Sequence, residues 1–250
     1  MDFYTGLVAT MYRHLRSETF DPEPYARFVR RYGGPALELG CGDGDPMLDL
    51  RAEGLDVEGL DASLDMLDRC RGRAVDRGVD VVLHHATFES MDLGRRYRSI
   101  YLAGATFNLL PDDRAAQLAL HRIAAHLEPD GAVLIPLEIP RPFRAQWIGS
   151  TKQVTQSDGS VMKLTYLAVE RDDQQRNQTI RLRYEMTADG VAERVERDWL
   201  LHWFDQDRFR HMADEAGLRV SRVLSPDGSP SGPDDPVFSF LLRAGSAPGG

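Results

Sequence analysis

The stretch ALELGCGDGD, residues 36–45, decides the fold. A short apolar run enters a turn carrying Gly40, Gly42 and Gly44. Asp45 and Pro46 then stand as N-cap candidate and first-turn proline for a helix running through about Glu53. Strand, glycine turn and helix in that order open a parallel α/β sheet. Glycines at the end of the first strand lack a Cβ, so a ligand can approach the backbone N–H groups there. The plainer reading, that they only make a tight turn, stands beside it until a second feature is found.

Outward from this unit, short apolar runs alternate with helical patterns. DVEGL (56–60) reads as the second strand. Ser63 is an N-cap for a helix whose apolar stripe includes Leu64, Leu67 and Ala74. VDVVL (79–83) reads as the third strand and 99–103 as the fourth. Ala116, Leu120, Ile123 and Leu127 follow at helical spacing, and 131–139 makes the fifth strand. Over 147–201 the period changes: Ile180, Leu182, Tyr184 and Met186 alternate with Arg181, Arg183 and Glu185, which predicts a strand with one wet face. Residues 161–169 are its partner, and RDDQQRNQ (171–178) is the turn between them. Phe209, Met212, Ala213 and Ala216 then form a helical stripe ended by Gly217. LRVSRVL (218–224) and VFSFLL (237–242) close the sheet across a Ser, Pro, Gly and Asp-rich loop, and GSAPGG (245–250) reads as a frayed tail.

The expected architecture is a doubly wound α/β sheet of about seven strands, the last antiparallel to its neighbours. An antiparallel β lid is inserted after strand five. The expected organisation is a helical segment over 1–34, a core of 35–145 and 202–243, a lid over 146–201, and a flexible tail over 244–250.

Composition narrows the function classes. Thirty Lys and Arg against 39 Asp and Glu give a net charge of −9 over 250 residues, which disfavours nucleic acid as a partner. Cys41 and Cys70 are too far apart for a CxxC pair and too few for a disulfide scaffold, so a reduced compartment is expected. MDFYTGLVATMYRHLRSE, at the start, has an acid at position two and no long apolar run. It reads as neither a secretory signal nor a membrane span, and the expected location is cytoplasmic.

The second feature at the site is Asp61, which ends the second strand about twenty residues beyond the glycines, where a carboxylate reaches both hydroxyls of an adenosine ribose. A dinucleotide enzyme of the NAD type would use the same pair of features. Against it stand Glu38, Asp43 and Asp45, which crowd the loop with negative charge and oppose a pyrophosphate. A cofactor with a sulfonium and an ammonium and no phosphate suits such a loop, and Glu38 is favourably placed near it.

These residues resemble the class I S-adenosylmethionine-dependent methyltransferases with Rossmann-like sheets, particularly small-molecule members of the natural-product type. The likeness is carried by ELGCGDG, GLDAS with a following Met, and the F-x-L-L segment after strand four, and spans about 36–138. It implies that Gly40, Cys41 and Gly42 face the methionine moiety and that Asp61 holds the ribose. Ala62 and Met66 would line the adenine, and Tyr12 and Ala103 would also border the cofactor. Where the family has an acid after strand three, this chain has Thr87, which can still accept a hydrogen bond, and Phe88 can pack on the adenine. Asn108, after strand four, and His202, in an aromatic stretch, are the catalytic candidates. Trp147, Tyr166, Trp199 and Trp203 are candidates for an aromatic acceptor pocket, against the plainer reading that some of them pack the lid onto the core. His84 and His85 are adjacent strand residues that point to opposite faces, so no metal site is expected. The implied reaction is methyl transfer from S-adenosylmethionine to oxygen or nitrogen on a small organic molecule of secondary metabolism, and an NAD-type oxidoreductase and a non-catalytic nucleoside-binding protein stay open as alternatives. A homodimer is compatible with the sequence.

Overall fold

The computed structural model describes residues 3–16 and 19–245, so 246–250 of the expected tail lie outside the described residues. Strand β1 (Ala36–Leu39) is buried along its whole length. That is why ALEL does not alternate: a strand in the middle of a parallel sheet is covered on both faces. It pairs in parallel with β2 (Val57–Asp61) on one side and β4 (Tyr97–Leu102) on the other. Beyond these lie β3 (Leu83–His85), β5 (Leu127–Glu138), β10 (Leu218–Leu224) and β11 (Val237–Ala244). The sheet has seven strands in the order β10-β11-β5-β4-β1-β2-β3, with β11 antiparallel to both its neighbours. This is the doubly wound α/β arrangement, and strand order reverses at β1 and β4, where a crevice forms beyond the carboxyl ends.

Helices cover both faces. On one, α2 (Glu23–Tyr32), α3 (Met47–Ala52) and α4 (Leu64–Arg77) bury Phe28, Leu50, Leu67 and Cys70. On the other, α5 (Asp113–Ala125) and α6 (Gln206–Glu215) bury Leu120, Ile123, Phe209 and Met212. Three of these helices begin on side-chain caps: Ser63 Oγ accepts from Met66 N at 3.2 Å, Asp112 Oδ1 from Ala115 N at 2.8 Å, and Asp205 Oδ1 from Arg208 N at 2.7 Å. Helix α3 departs from expectation. Its N-cap is Pro46 without a side-chain bond, because the Asp45 carboxylate is taken by Arg16 at 2.9 Å.

The expected third strand, 79–83, shifts to Leu83–His85. It pairs with the end of β2 in the register Gly59↔Leu83, Leu60↔His84 and Asp61↔His85, while Val79 and Val81 pack on the core without joining the ladder.

A separate antiparallel sheet carries β6 (Thr151–Thr155), β7 (Val161–Asp172), β8 (Asn177–Ala188) and β9 (Val191–His202) in sequence order. The β7–β8 strands reach further than the sequence suggested, and their turn shrinks to 173–176. Asp172 Oδ1 caps it by accepting from the amides of Gln174 and Gln175. The period-two pattern sorts as written. Ile180, Leu182 and Tyr184 are buried, while Arg181 and Arg183 pair across the wet face with Asp198 and Glu196. The apolar face is covered by α1 (Leu7–Leu15), which packs Leu7, Val8, Met11 and Leu15 against Met162, Ile180 and Leu182. Burying side chains of this size stabilises by roughly 1.5–3 kcal/mol each, so the helix and the sheet hold each other in place. Among the described residues, no helix is long and apolar enough to cross a membrane.

Candidate active site

The glycine turn is built by steric necessity. Gly40 and Gly42 have φ of +73° and +53°, a region that strains residues with a Cβ. A Cβ on Gly40 would also stand 2.6 Å from Thr106 Cγ2. Gly44 has another purpose: a Cβ there would meet Leu48 Cγ at 2.7 Å and Cys70 Sγ at 2.8 Å, so its bareness serves packing beneath the turn.

Asp61 is fixed by the backbone around it. Oδ2 accepts from Gly42 N at 2.9 Å and Oδ1 from Ser63 N at 2.8 Å. A carboxylate has about four acceptor positions, so each oxygen keeps capacity for a ligand hydroxyl. Burial pushes this carboxyl's pKa up, against the amide bonds from Ser63, Gly42 and Ala62 that pull it down.

Beyond the turn lies a cavity of about 440 Å³. Its floor is Gly40, Gly42, Asp61, Ala62, Ser63 and Met66. One wall is Thr87, Phe88 and Glu89 from the loop after β3, and another is Thr106 with Leu109, Leu110 and Pro111. Phe3, Tyr4 and Tyr12 close it from the N-terminal segment, and Asp198, Trp199 and Leu200 of β9 from the second sheet. Tyr4 packs edge-on to Tyr12 with ring centroids 5.5 Å apart. Burial raises both phenols above their ordinary pKa, so they stay protonated at neutral pH.

The acids of the loop are not the uncompensated cluster expected from sequence. Asp43 is held by Arg13 at 3.0 Å and Arg73 at 3.1 Å, and Asp45 by Arg16. Repulsion of a pyrophosphate by these two residues is therefore largely cancelled. Glu38 is different. It is fully buried, its Oε2 accepts from Tyr101 at 2.7 Å, and its Oε1 has no hydrogen bond. Burial pushes its pKa to about 8, partly offset by the Tyr101 bond, and the charges of Asp45 and Asp61 add to the rise. An orphaned buried oxygen of this kind fits a cationic ligand group, which would both satisfy it and favour its ionised form. The bare glycine turn, Asp61 and Glu38 together fit S-adenosylmethionine.

Of the residues singled out in the sequence, Tyr12, Gly40, Gly42, Asp61, Ala62, Met66, Thr87, Phe88 and Trp199 border the cavity. Glu38, Cys41 and Ala103 are buried and are not among its lining residues. The Cys41 side chain points inward, and a Cβ on Gly59 would stand 2.7 Å from its Sγ. The catalytic candidates have other partners. Asn108 donates from Nδ2 to the carbonyls of Glu138 at 2.8 Å and His202 at 2.7 Å, and accepts from Glu138 N at 3.1 Å, which ties three segments together. His202 is 3% exposed, its Nε2 lies 2.9 Å from Asp113 Oδ1, and its ring is packed edge-on to Phe204. Neither reaches the cavity. Trp147 is 45% exposed, with its ring edge-on to Phe143, against which Tyr166 also packs. Trp203 is buried under the Arg171 guanidinium at 4.2 Å. These three are not among the lining residues of the cavity. His84 and His85 bond separately, to Glu58 Oε2 at 2.7 Å and to the Ala62 carbonyl at 3.1 Å.

Phe3, Tyr4, Glu89, Thr106 and Asp198 were missed. The signal for Tyr4 was available: an aromatic pair just ahead of a helix whose apolar stripe already needs a partner. Asp198 and Trp199 alternate and so read as pointing to opposite faces. Both nevertheless line the cavity, from β9 at the edge of the second sheet.

Residues 36–131 match a family model described as a methyltransferase domain. A dTDP-3-amino-3,6-dideoxy-alpha-D-glucopyranose N,N-dimethyltransferase of Streptomyces fradiae is 33% identical over 129 residues, 50% of this chain and 49% of that one. The chain thus aligns with about half the length of that relative. A dTDP-3-amino-3,4,6-trideoxy-alpha-D-glucopyranose N,N-dimethyltransferase of Streptomyces venezuelae is 27% identical over 198 residues, 78% of each chain. Among solved structures, the CcbJ methyltransferase of Streptomyces caelestis superposes with a TM-score of 0.76 at 22% identity, covering 98% of both chains. Residues 36–131, which hold the glycine turn, Asp61 and the central strands, thus carry a methyltransferase domain, and the fold is that of solved methyltransferases.

Proposed function

We propose that this chain transfers a methyl group from S-adenosylmethionine to an amine nitrogen of a small molecule in secondary metabolism. The carrying observation is the cavity itself, in which the glycine turn and Asp61 meet a forward wall of aromatic rings and carboxylates. Nitrogen is favoured over oxygen because both aligned dimethyltransferases act on amino sugars, as their names state.

In this reading Gly40 and Gly42 accommodate the methionine moiety, Glu38 faces its ammonium, and Asp61 accepts from the ribose hydroxyls. Ala62, Met66 and Phe88 flank the adenine, and Thr87 accepts from its amine. The cofactor supplies a methyl already activated on a sulfonium. What the chain contributes is alignment and exclusion of water. Tyr4, Tyr12 and Trp199 hold the acceptor, and the second sheet with α1 serves as the lid. An amine attacks as its neutral form and loses its proton afterwards, so the absence of His202 and Asn108 from the described cavity lining is no obstacle. The same reading takes the protein as cytoplasmic, independent of metal, and directed at a small molecule in place of nucleic acid, with a homodimer compatible.

The test is incubation with methyl-labelled S-adenosylmethionine and two acceptor sets, amino sugars and the matching sugars with hydroxyl in place of amine. Label is expected on nitrogen. Label on oxygen alone would remove the amine assignment, and no transfer to any metabolite of a native-host extract would favour a non-catalytic nucleoside-binding protein.

A further inference from the structure

The charge of the cavity walls bears on which amines fit. The charged side chains lining it are Asp61, Glu89 and Asp198, and among the described lining residues there is no Lys or Arg. Four arginines beyond the lining grip carboxylates: Arg13 and Arg73 on Asp43, Arg16 on Asp45, and Arg181 on both oxygens of Asp198 at 2.8 and 3.1 Å. Arg197, next to Asp198, donates from one terminal nitrogen to the Glu196 carbonyl at 3.0 Å, keeps its Nε buried without a partner, and does not line the cavity. A diphosphate brought here would meet Asp61 and Glu89, neither held by an arginine, with no cation among the described lining residues to receive it, and like charges oppose binding.

A protonated or polarised amine meets the opposite environment. Glu89 is half-buried and has no hydrogen-bond or ion-pair partner among the described residues, and the faces of Phe3, Tyr4 and Trp199 favour cations. The Trp199 indole N–H is buried without an acceptor, lying near the Tyr4 hydroxyl without closing a bond to it. A buried donor left open is costly, and a neutral hydroxyl or ether oxygen on the ligand would satisfy it.

We propose that the acceptor is a basic amine on an oxygen-bearing scaffold, such as an amino sugar glycoside or aminocyclitol, that carries no phosphate or diphosphate. This rests on the methyl-transfer reading above, and it sets the chain apart from the nucleotide-linked sugars named for two of its relatives.

Three measurements test it. First, the protein saturated with S-adenosylhomocysteine is titrated calorimetrically with thymidine diphosphate and uridine diphosphate. No saturable binding is expected below about 1 mM, and tighter binding of either overturns the proposal. Second, methyl transfer is compared between one amino sugar as its methyl glycoside and as its nucleoside diphosphate ester. The glycoside is expected to have a kcat/KM at least about tenfold higher, and preference for the nucleotide form overturns the proposal. Glu89→Gln is expected to raise the glycoside KM several-fold with kcat retained, and an unchanged KM removes Glu89 from amine recognition. Transfer to hydroxyls alone would sink the amine reading of the previous subsection, while the diphosphate titration still decides this one.

Discussion

Asp61 and Gly40 concentrate the cofactor chemistry in two residues. Asp61 braces Gly42 and Ser63 through their amides and keeps acceptor capacity for a ribose. Asp61→Ala is expected to weaken S-adenosylhomocysteine binding by about 1.5–3 kcal/mol, the range for hydrogen bonds to a charged group. Calorimetry checks it, and an unchanged affinity would contradict the assignment. Gly40→Ala meets both a positive φ and the Thr106 methyl at 2.6 Å. Binding is expected to fall at least about tenfold, and adding Thr106→Ser, which deletes Cγ2, should restore part of it while the φ strain of about 1 kcal/mol or more remains. No recovery in the double variant would mean that Thr106 is not the obstacle. At this scale the glycines and Asp61 were legible, because their roles follow from a missing Cβ and from position at a strand end. The state of Glu38, Asp43 and Asp45 was not: arginines from α1 and α4 neutralise two of them and leave the third to burial, which no local spacing reveals.

Helix α1 is latched to the glycine turn through Arg13 and Arg16 while its apolar stripe packs on the second sheet. Arg16→Ala strips the buried Asp45 of this ion pair, and loss of one partner of a buried pair costs about 3 kcal/mol. Chemical denaturation should show this loss, together with weaker S-adenosylhomocysteine binding because Tyr4 and Tyr12 travel with the helix. Unchanged stability would show that solvent replaces the arginine. A second latch joins α5 to β9. Burial raises the Asp113 pKa, but hydrogen bonds from His202, Arg176 and Arg208 outweigh it and hold the carboxyl at about 2. A carboxyl depressed below its unfolded value of about 3.8 contributes its stability fully above that value and loses it as pH falls toward 2. Asp113→Asn should therefore reduce stability by up to about 2 kcal/mol at neutral pH and flatten the acid limb between pH 4 and 2, as seen by thermal melting. An acid limb identical to that of the parent protein would contradict the latch. Elements with a clear period were legible, including the β7–β8 pairing and the α6 stripe. Strand β3 was not, because two valines of the apolar run, Val79 and Val81, pack against the core instead of entering the ladder.

Across the whole molecule, the cavity gathers side chains from the N-terminal segment, the ends of the central strands and β9, stretches far apart in the sequence. The floor could be read from one contiguous motif. The far wall could not, since Tyr4 and Trp199 meet only after α1 has covered the second sheet, and the tryptophans that looked equivalent in sequence were separated by packing. The central claim is that the glycine turn, Asp61 and Glu38 form a seat for a sulfonium nucleoside and not for a dinucleotide. Competition calorimetry between S-adenosylhomocysteine and NAD or NADP tests this most directly. The expected result is one saturable site for S-adenosylhomocysteine that the dinucleotides do not displace; tighter binding of NAD or NADP at that site would contradict it.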